Sequence, residues 1–338
     1  MTLRSFLAKR VIYTIVLVFF VIMLNFLIFE AMPGATGLEY SILGQRNRLG
    51  SQAEYELIVK LYNLNASYSD RFVAYVENLL TFQFGTSYQY HQPVTDQILG
   101  GGINSRLVNT LTLLGASTVL AIIIGIALGI VTSKKRGSGL DNFLVTASLT
   151  TYSLPTFFMG ILMIFVFALT LHWFPGGSVI PATWTQTNLQ APPLWEQIPA
   201  RLQYIFLPAL TLTLFSYGGF LLLTRATMLE TLSEDYVLTA RAKGLSERVI
   251  LFKHAFKNAS LPIVTASALA FGGILSGAII TETVFNWAGL GRWLYDAVLF
   301  KDYPVMQAMF YIIALAVIAA NFISDVIYGI IDPRIRYE

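Results

Sequence analysis

Long apolar runs separated by short polar segments dominate the hydrophobic pattern of this 338-residue chain. A helix needs about 20 apolar residues to cross a bilayer core roughly 30 Å thick. The runs of sufficient length predict six transmembrane helices, at about Val11–Met32, Leu107–Thr132, Phe143–Leu171, Tyr204–Leu223, Leu261–Thr283 and Val305–Ile331. Pro155 predicts a break in the third, because proline cannot donate the backbone hydrogen bond of a continuous helix. The pattern therefore predicts an all-α integral membrane protein.

The first apolar run has the basic flank of a signal peptide, since Arg4, Lys9 and Arg10 precede or begin it. The run is longer than the apolar region of about 7–15 residues that a signal peptide contains, and no A-x-A cleavage site follows it. We therefore predict that the first run is an uncleaved membrane helix.

The distribution of Lys and Arg predicts the orientation, because basic residues concentrate on the cytoplasmic side of membrane proteins. With both termini in the cytoplasm, most basic clusters lie inside, among them Lys134–Arg136, Arg241–Lys257 and the pair Arg334 and Arg336. The chain then divides into residues 1–105, a first transmembrane helix with a long external segment, and residues 106–338, a five-helix core. A cytoplasmic loop at residues 225–260 belongs to this core.

Composition supports the membrane assignment and removes several functional classes. Apolar residues make up 55% of the chain and charged residues 12%, against about 25% charged residues in soluble domains. The net charge of +3 is too small to indicate nucleic acid binding, and the chain has no cysteine. The three His residues have no metal-ligand spacing. No G-x-S-x-G, H-E-x-x-H or Walker A motif occurs, so we predict no catalytic residue, no metal site and no cofactor in this chain.

The cytoplasmic loop has the pattern of two helices joined at a glycine. Apolar residues recur at helical spacing on both sides of Gly244, in the stretch Asp235–Pro262, which reads DYVLTARAKGLSERVILFKHAFKNASLP. Ser233 is the predicted N-cap of the first helix. This pattern predicts a helix, a glycine turn and a second helix.

The stretch closely resembles the "EAA" loop of the membrane permeases of ABC importers, in its dipeptide/oligopeptide variant. Other segments also resemble that family, namely Met32–Gly34 (MPG), Lys135–Asp141 (KRGSGLD), Leu154–Gly160 (LPTFFMG), Thr281–Tyr295 (TETVFNWAGLGRWLY), Lys301–Pro304 (KDYP) and Ile331–Tyr337 (IDPRIRY). The chain departs from the general EAA pattern at Leu238, where that pattern has a glutamate. The resemblance extends from the first predicted span to the C-terminus.

The resemblance implies a permease that forms half of a translocation path with a second permease subunit, expected to be a heterodimer partner. Two cytosolic ATPase subunits would bind ATP and Mg²⁺, and an extracytoplasmic binding protein would deliver the substrate. The resemblance also implies a multi-pass location in a prokaryotic cell membrane. The residues it places at the ATPase contact are Asp235, Thr239, Ala240, Arg241, Lys243, Gly244 and Glu247.

The expected substrates are peptides, because relatives of this kind import dipeptides and oligopeptides. Oligosaccharides (or nickel) are the alternative for the same importer type. A secondary transporter that works without ATP is the hypothesis from a different class, and ATP dependence separates the two classes. Secondary carriers often have internal repeats and ionisable groups at the membrane midplane, and neither is evident here.

Polar residues within the apolar runs are candidates for the translocation path, because polar groups at membrane depth usually face the bundle interior. The candidates are Asn25, Asn109, Glu282 and Asn321, and the alternative for each is a structural hydrogen bond or cap. For Asp325 we predict a structural pairing with a basic residue near the cytoplasmic end. Gly125 and Gly129 form a small-xxx-small pair, which suits helix packing inside the subunit and packing between subunits equally well.

Overall fold

The computed structural model describes residues 3–31, 67–186, 192–272 and 278–331. Within these ranges the chain is helical and contains no β-strand. The α-helices are α1 (Leu3–Phe26), α2 (Tyr68–Leu80), α3 (Val94–Leu99), α4 (Arg106–Lys134), α5 (Gly139–Ser153), α6 (Thr156–Met163), α7 (Thr183–Gln186), α8 (Leu194–Leu232), α9 (Asp235–Ala242), α10 (Glu247–Val249), α11 (Lys257–Gly272), α12 (Ile279–Val284), α13 (Leu290–Phe300) and α14 (Tyr303–Ile331). Turns of π-helix adjoin α1, α6 and α11, at Leu27–Ala31, Ile164–Thr170 and Ile250–Phe256.

Four helices of the described ranges are long and apolar enough to cross a membrane. They correspond to the first, second, fourth and sixth predicted spans, and they are Leu7–Phe29, Arg106–Lys134, Leu194–Leu232 and Tyr303–Ile323. The fifth predicted span crosses residues 273–277, which lie outside the described residues. The all-α membrane fold is therefore observed, and the predicted total of six spans stays a prediction.

The third predicted span is divided into two helices that meet at an angle of 102°. Helix α5 ends at Ser153, Leu154 has extended backbone dihedrals, and Pro155 is the N-cap of α6. A residue that precedes proline is sterically driven out of the helical region, so the helix ends where the sequence predicted a break. The sequence did not predict the size of the bend.

Helix α8 has 39 residues and is longer than the predicted span at both ends. Its buried side packs against α4 at two glycines, Gly125 and Gly129. A Cβ on Gly125 would lie 2.4 Å from the Cβ of Phe220, and one on Gly129 would lie 2.5 Å from the Cβ of Thr224. The small-xxx-small pair therefore packs inside the subunit, which answers the question that the sequence left open.

We expect Gly129→Ala to destabilise the subunit, because the added methyl group would also lie 2.8 Å from the carbonyl oxygen of Leu221. Overpacking of a close-packed contact costs about 1–3 kcal/mol. The matched control is Gly115→Ala on the same helix, where a Cβ would meet no atom within 4 Å. Thermal unfolding of the detergent-purified variants measures the effect. Equal melting temperatures for the two variants would contradict the close packing of α4 on α8.

The described part of the predicted external segment packs against three helices. Its α2 and α3 contribute Tyr75, Leu79 and Ile98 to a buried apolar cluster that also contains residues of α1, α13 and α14. Residues 32–66 of the predicted external segment lie outside the described residues.

Asp302 fixes the turn between α2 and α3 to the start of α14. Its carboxylate accepts hydrogen bonds from the Ser87 hydroxyl and from the backbone N–H groups of Tyr88 and Gln89, over 2.5 to 3.2 Å. Asp302 is 1% exposed. These hydrogen bonds therefore attach the turn between α2 and α3, which contains no long apolar run, to the start of the membrane helix α14.

Candidate functional site

The first helix of the predicted helix–glycine–helix loop, α9, directly follows the long helix α8. Glu234 is its N-cap, whereas Ser233 is the C-cap of α8 and donates its hydroxyl hydrogen to the carbonyl of Glu230. The predicted N-cap at Ser233 is therefore wrong by one residue. Because the two helices share this short junction, a displacement of α9 acts directly on the end of α8.

One face of α9 is buried against the rest of the subunit. Val237 and Ala240 form an apolar cluster with Ile250, and the partly buried Leu232 packs against it. Below it, Met228 of α8 packs with Leu251 and other residues of the helical run that follows. These contacts fix the orientation of α9 relative to α8.

Gly244 closes α9 with a Schellman motif. The N–H of Gly244 donates to the carbonyl of Arg241 (2.9 Å), and the N–H of Leu245 donates to the carbonyl of Ala240 (3.3 Å). This motif places the residue after the C-cap in the left-handed region, and Gly244 has φ +72°. A Cβ built on Gly244 meets no atom of this chain within 4 Å. The turn therefore requires glycine for its backbone conformation and not for internal space.

The polar residues of the loop point away from the subunit. Asp235, Thr239, Arg241, Lys243 and Glu247 are all exposed. Arg241 Nε lies 3.3 Å from Glu247 Oε1, so these two groups pair with each other within the chain. An exposed ion pair contributes about 0–1 kcal/mol, so a partner protein can replace either member at little cost. Ala240, in contrast, is buried and supports the helix from below.

Apolar side chains accompany these charges on the exposed surface. Tyr236 is 39% exposed, Leu238 55%, Leu245 39% and Phe252 51%. Leu238 occupies the position where the sequence departs from the general EAA pattern. Exposed apolar side chains within a polar rim are typical of a protein–protein contact. We call the exposed surface of residues 235–252 the coupling surface.

The second helix of the loop does not end before the fifth predicted span. Helix α10, the π-helical stretch Ile250–Phe256 and α11 follow one another without interruption from Glu247 to Gly272. Pro262 therefore lies inside a continuous helix. The coupling surface is consequently linked to the membrane helix α8 before the glycine turn and to the helical run that ends at Gly272 after it.

A buried polar cluster joins the N-terminal end of α4 to the TETVFNW motif. Thr110 donates its hydroxyl hydrogen to Glu282 Oε1 (2.8 Å) and accepts the N–H of Leu290 (2.8 Å). Glu282 Oε2 accepts the N–H of Arg292 at the start of α13 (2.9 Å). Asn109 donates to the carbonyl of Ala288 (2.8 Å). We call Asn109, Thr110, Glu282, Leu290 and Arg292 the outer polar cluster.

Three of the four predicted pathway residues make contacts inside the subunit. Asn109 is 3% exposed and Glu282 is 0% exposed, and both belong to the outer polar cluster. Asn25 is 4% exposed and donates from Nδ2 to the carbonyl of Gln307 on α14 (3.1 Å). These contacts favour a structural hydrogen bond, which the sequence left open as the alternative for each residue. They do not support a role for these three residues in lining the translocation path.

Asn321 differs, because its side chain is exposed on the wall of a cavity of about 330 Å³. The cavity lies between α1, α11 and α14, and Arg10 and Asp325 also line it. Arg10 Nη1 lies 2.6 Å from Asp325 Oδ2. The predicted pairing of Asp325 with a basic residue is therefore confirmed.

Sequence reasoning missed two residues that hold α5 and α8 together. Arg225 donates from Nε and Nη2 to the two carboxylate oxygens of Asp141, each over 2.8 Å. Asp141 also accepts the N–H of Gly137 (2.9 Å), and its side chain is 2% exposed. Asp141 lies in the quoted KRGSGLD motif, which was the available signal, but nothing in the sequence indicated its partner.

An all-helical fold with several helices long and apolar enough to cross a membrane defines an integral membrane protein. Residues 121–337 match the family model described as the binding-protein-dependent transport system inner membrane component. The match covers more than half of the chain, and the chain belongs to this family. The family is a membrane component of transport systems and not an enzyme.

Similar proteins are matched over almost their full lengths. The chain is 33% identical to the oligopeptide transport system permease protein AppB of Bacillus subtilis (strain 168), over 99% of this chain and 100% of that protein. It is 34% identical to the di/tripeptide transport system permease protein DppB of Pseudomonas aeruginosa (strain UCBPP-PA14) and 35% identical to the glutathione transport system permease protein GsiC of Escherichia coli (strain K12). Both of these matches cover 99% of each chain.

Proposed function

We propose that this chain is a permease subunit that forms half of the translocation path of an ATP-driven importer for peptides. The observation that carries this proposal is the coupling surface, which combines a left-handed glycine turn with exposed charged and apolar side chains. It lies at the end of α8, a helix that continues through the membrane region. Force applied to α9 by a cytosolic partner therefore reaches the membrane through one continuous helix.

The proposed assembly contains a second, non-identical permease, two cytosolic ATPase subunits and an extracytoplasmic binding protein. ATP and Mg²⁺ bind to the ATPase subunits, and both termini of this chain lie in the cytoplasm of a prokaryotic cell. The names of the relatives favour peptides, glutathione included, over oligosaccharides or nickel. Of the four predicted pathway residues, Asn321 is the one that we keep as a candidate for contact with the solute.

Co-purification with the products of the neighbouring genes tests the assembly. We expect a second permease and ATPase subunits to elute with this chain, and ATP hydrolysis to rise when a peptide-loaded binding protein is added. A chain that purifies alone and moves solute without ATP would instead support the secondary-transporter hypothesis.

Leu238→Asp tests the coupling surface within the same assay. Loss of a buried leucine contact costs about 1.5–3 kcal/mol, so we expect ATPase affinity to fall roughly tenfold or more. The matched control is Leu80→Asp on external α2, because Leu80 is 59% exposed and Leu238 is 55% exposed. Equal ATPase affinity in the two variants would remove Leu238 from the contact.

A further inference from the structure

Helices α5 and α8 lie antiparallel and touch at three successive levels. Asp141 pairs with Arg225 at the first level. At the second, a Cβ on Gly218 would lie 3.0 Å from the carbonyl oxygen of Ser148. The third is a stack of Tyr152 on Phe215, with ring centroids 5.5 Å apart and an interplanar angle of 18°. Residue numbers rise along α5 as they fall along α8, so the contacts form one continuous line.

The two ends of this contact line adjoin different parts of the fold. Arg225 lies two turns before α8 ends at Leu232, next to the coupling surface. Tyr152 lies beside the end of α5 at Ser153, where the chain turns by 102° into α6. The described contacts of α6 continue the connection, because a Cβ on Gly160 would lie 3.1 Å from the Phe285 ring and 3.2 Å from the Val284 side chain. The connection that runs from α8 through α5 and α6 to α12 therefore passes the bend at Pro155.

The Asp141–Arg225 pair is built for a fixed geometry. Both guanidinium hydrogen bonds are 2.8 Å long, and the bidentate arrangement defines orientation as well as distance. The Gly137 N–H holds the same carboxylate from the other side. Truncation of one partner would leave a buried charged group without its counter-ion, which is far more disruptive than the loss of an exposed pair.

We infer that Asp141 and Arg225 are positioning residues that make α5 and α8 move as one body when the ATPase displaces α9. The pair thereby carries ATP-driven movement to the bend at Pro155. This inference rests on the proposed function. It gives the pair a role in how much solute is transported per ATP hydrolysed, and no role in binding the ATPase or the solute. Without the pair, α8 still moves with α9, but α5 follows it incompletely.

The expected signature is a loss of transported solute per ATP hydrolysed. We expect Asp141→Asn and Arg225→Lys to lower that ratio about fivefold or more, the range of a typical coupling energy between sites. Lysine keeps the positive charge but cannot form the bidentate contact. The control is Asp296→Asn, which removes the partner of Arg292 in an ion pair on α13, outside the α5–α8 contact line, and should leave the ratio unchanged. Misfolded protein lowers uptake and hydrolysis together, so the ratio reports coupling alone.

A disulfide provides a rescue experiment, because the chain contains no native cysteine. The Cβ positions of Ser148 and Gly218 are 3.4 Å apart, close to the separation of about 3.5–4.5 Å in disulfides. In complexes reconstituted into liposomes, we expect oxidation of Ser148→Cys/Gly218→Cys in the Asp141→Asn background to restore the ratio, and reduction to abolish it again. Asp141→Asn without the cysteines controls for effects of the oxidant on other subunits.

The inference is overturned if Asp141→Asn keeps the wild-type ratio, or if the disulfide forms without restoring it. In both cases the wild-type complex still takes up solute in an ATP-dependent way, so the proposed function survives. Absence of ATP-dependent uptake by the wild-type complex would instead be a failure of the proposed function itself.

Discussion

Gly244→Val is expected to weaken binding of the ATPase subunits while membrane insertion remains intact. Residue 244 has φ +72°, and a left-handed conformation costs an L-residue about 1–2 kcal/mol, with β-branched residues affected most. Such a cost corresponds to a factor of roughly 5–30 in an equilibrium. The Schellman motif would open, and the coupling surface would lose the alignment of α9 with the residues after the turn. Pull-down of the ATPase subunits at graded concentrations measures the loss.

Two variants separate the effect of the Gly244 turn on ATPase binding from the effect of backbone strain in general. Gly85→Val introduces the same side chain at φ +79° with no atom within 4 Å, but on the external segment, and should leave ATPase binding unchanged. Gly244→Asn should retain most of the binding, because asparagine tolerates the left-handed conformation better than other residues. Normal ATPase association by Gly244→Val would show that the glycine turn is not part of the contact.

The second large effect is expected for Gly289→Ala, which should prevent stable folding of the subunit. A Cβ on Gly289 would lie 2.5 Å from the carboxyl carbon and both carboxylate oxygens of Glu282. Glu282 is completely buried, so it cannot move without breaking its bonds to Thr110 and the N–H of Arg292. Each buried polar group left unsatisfied costs about 1–3 kcal/mol.

The yield of monodisperse protein and its melting temperature in detergent measure this effect. The matched control is Gly219→Ala, because a Cβ there would meet no atom within 4 Å. Thr110→Val should reproduce part of the loss, since valine keeps the shape of threonine but can neither donate to Glu282 nor accept from Leu290. Wild-type stability of Gly289→Ala would mean that the outer polar cluster is not packed as described.

Local features of the fold were predictable from the sequence because neighbouring residues decide them. Apolar runs place the membrane helices, and the steric effect of Pro155 on Leu154 ends α5 at Ser153. Gly244 closes a helix in the left-handed conformation that glycine alone adopts without strain. The junctions were less predictable, and the uninterrupted helix from Glu247 to Gly272 is the clearest example.

The contacts that hold the subunit together join residues far apart in sequence. Asp141 and Arg225 are 84 positions apart, Thr110 and Glu282 are 172 apart, and Ser87 and Asp302 are 215 apart. Periodicity identifies the face of a helix that is apolar, but it does not specify which distant polar group will lie opposite. Glu282, a predicted candidate for the translocation path, is accordingly buried and bonded to Thr110, a partner that its sequence position did not indicate.

The sequence by itself determined that this protein crosses a membrane and carries a helix–glycine–helix loop, because hydrophobic length and backbone conformation are local properties. Only the tertiary structure decided which buried polar groups satisfy one another. It also decided that α8 continues directly to the coupling surface and that α5 is attached to it. Those features depend on the mutual placement of whole helices, since burial makes every unsatisfied polar group costly and only the complete packing arrangement satisfies them.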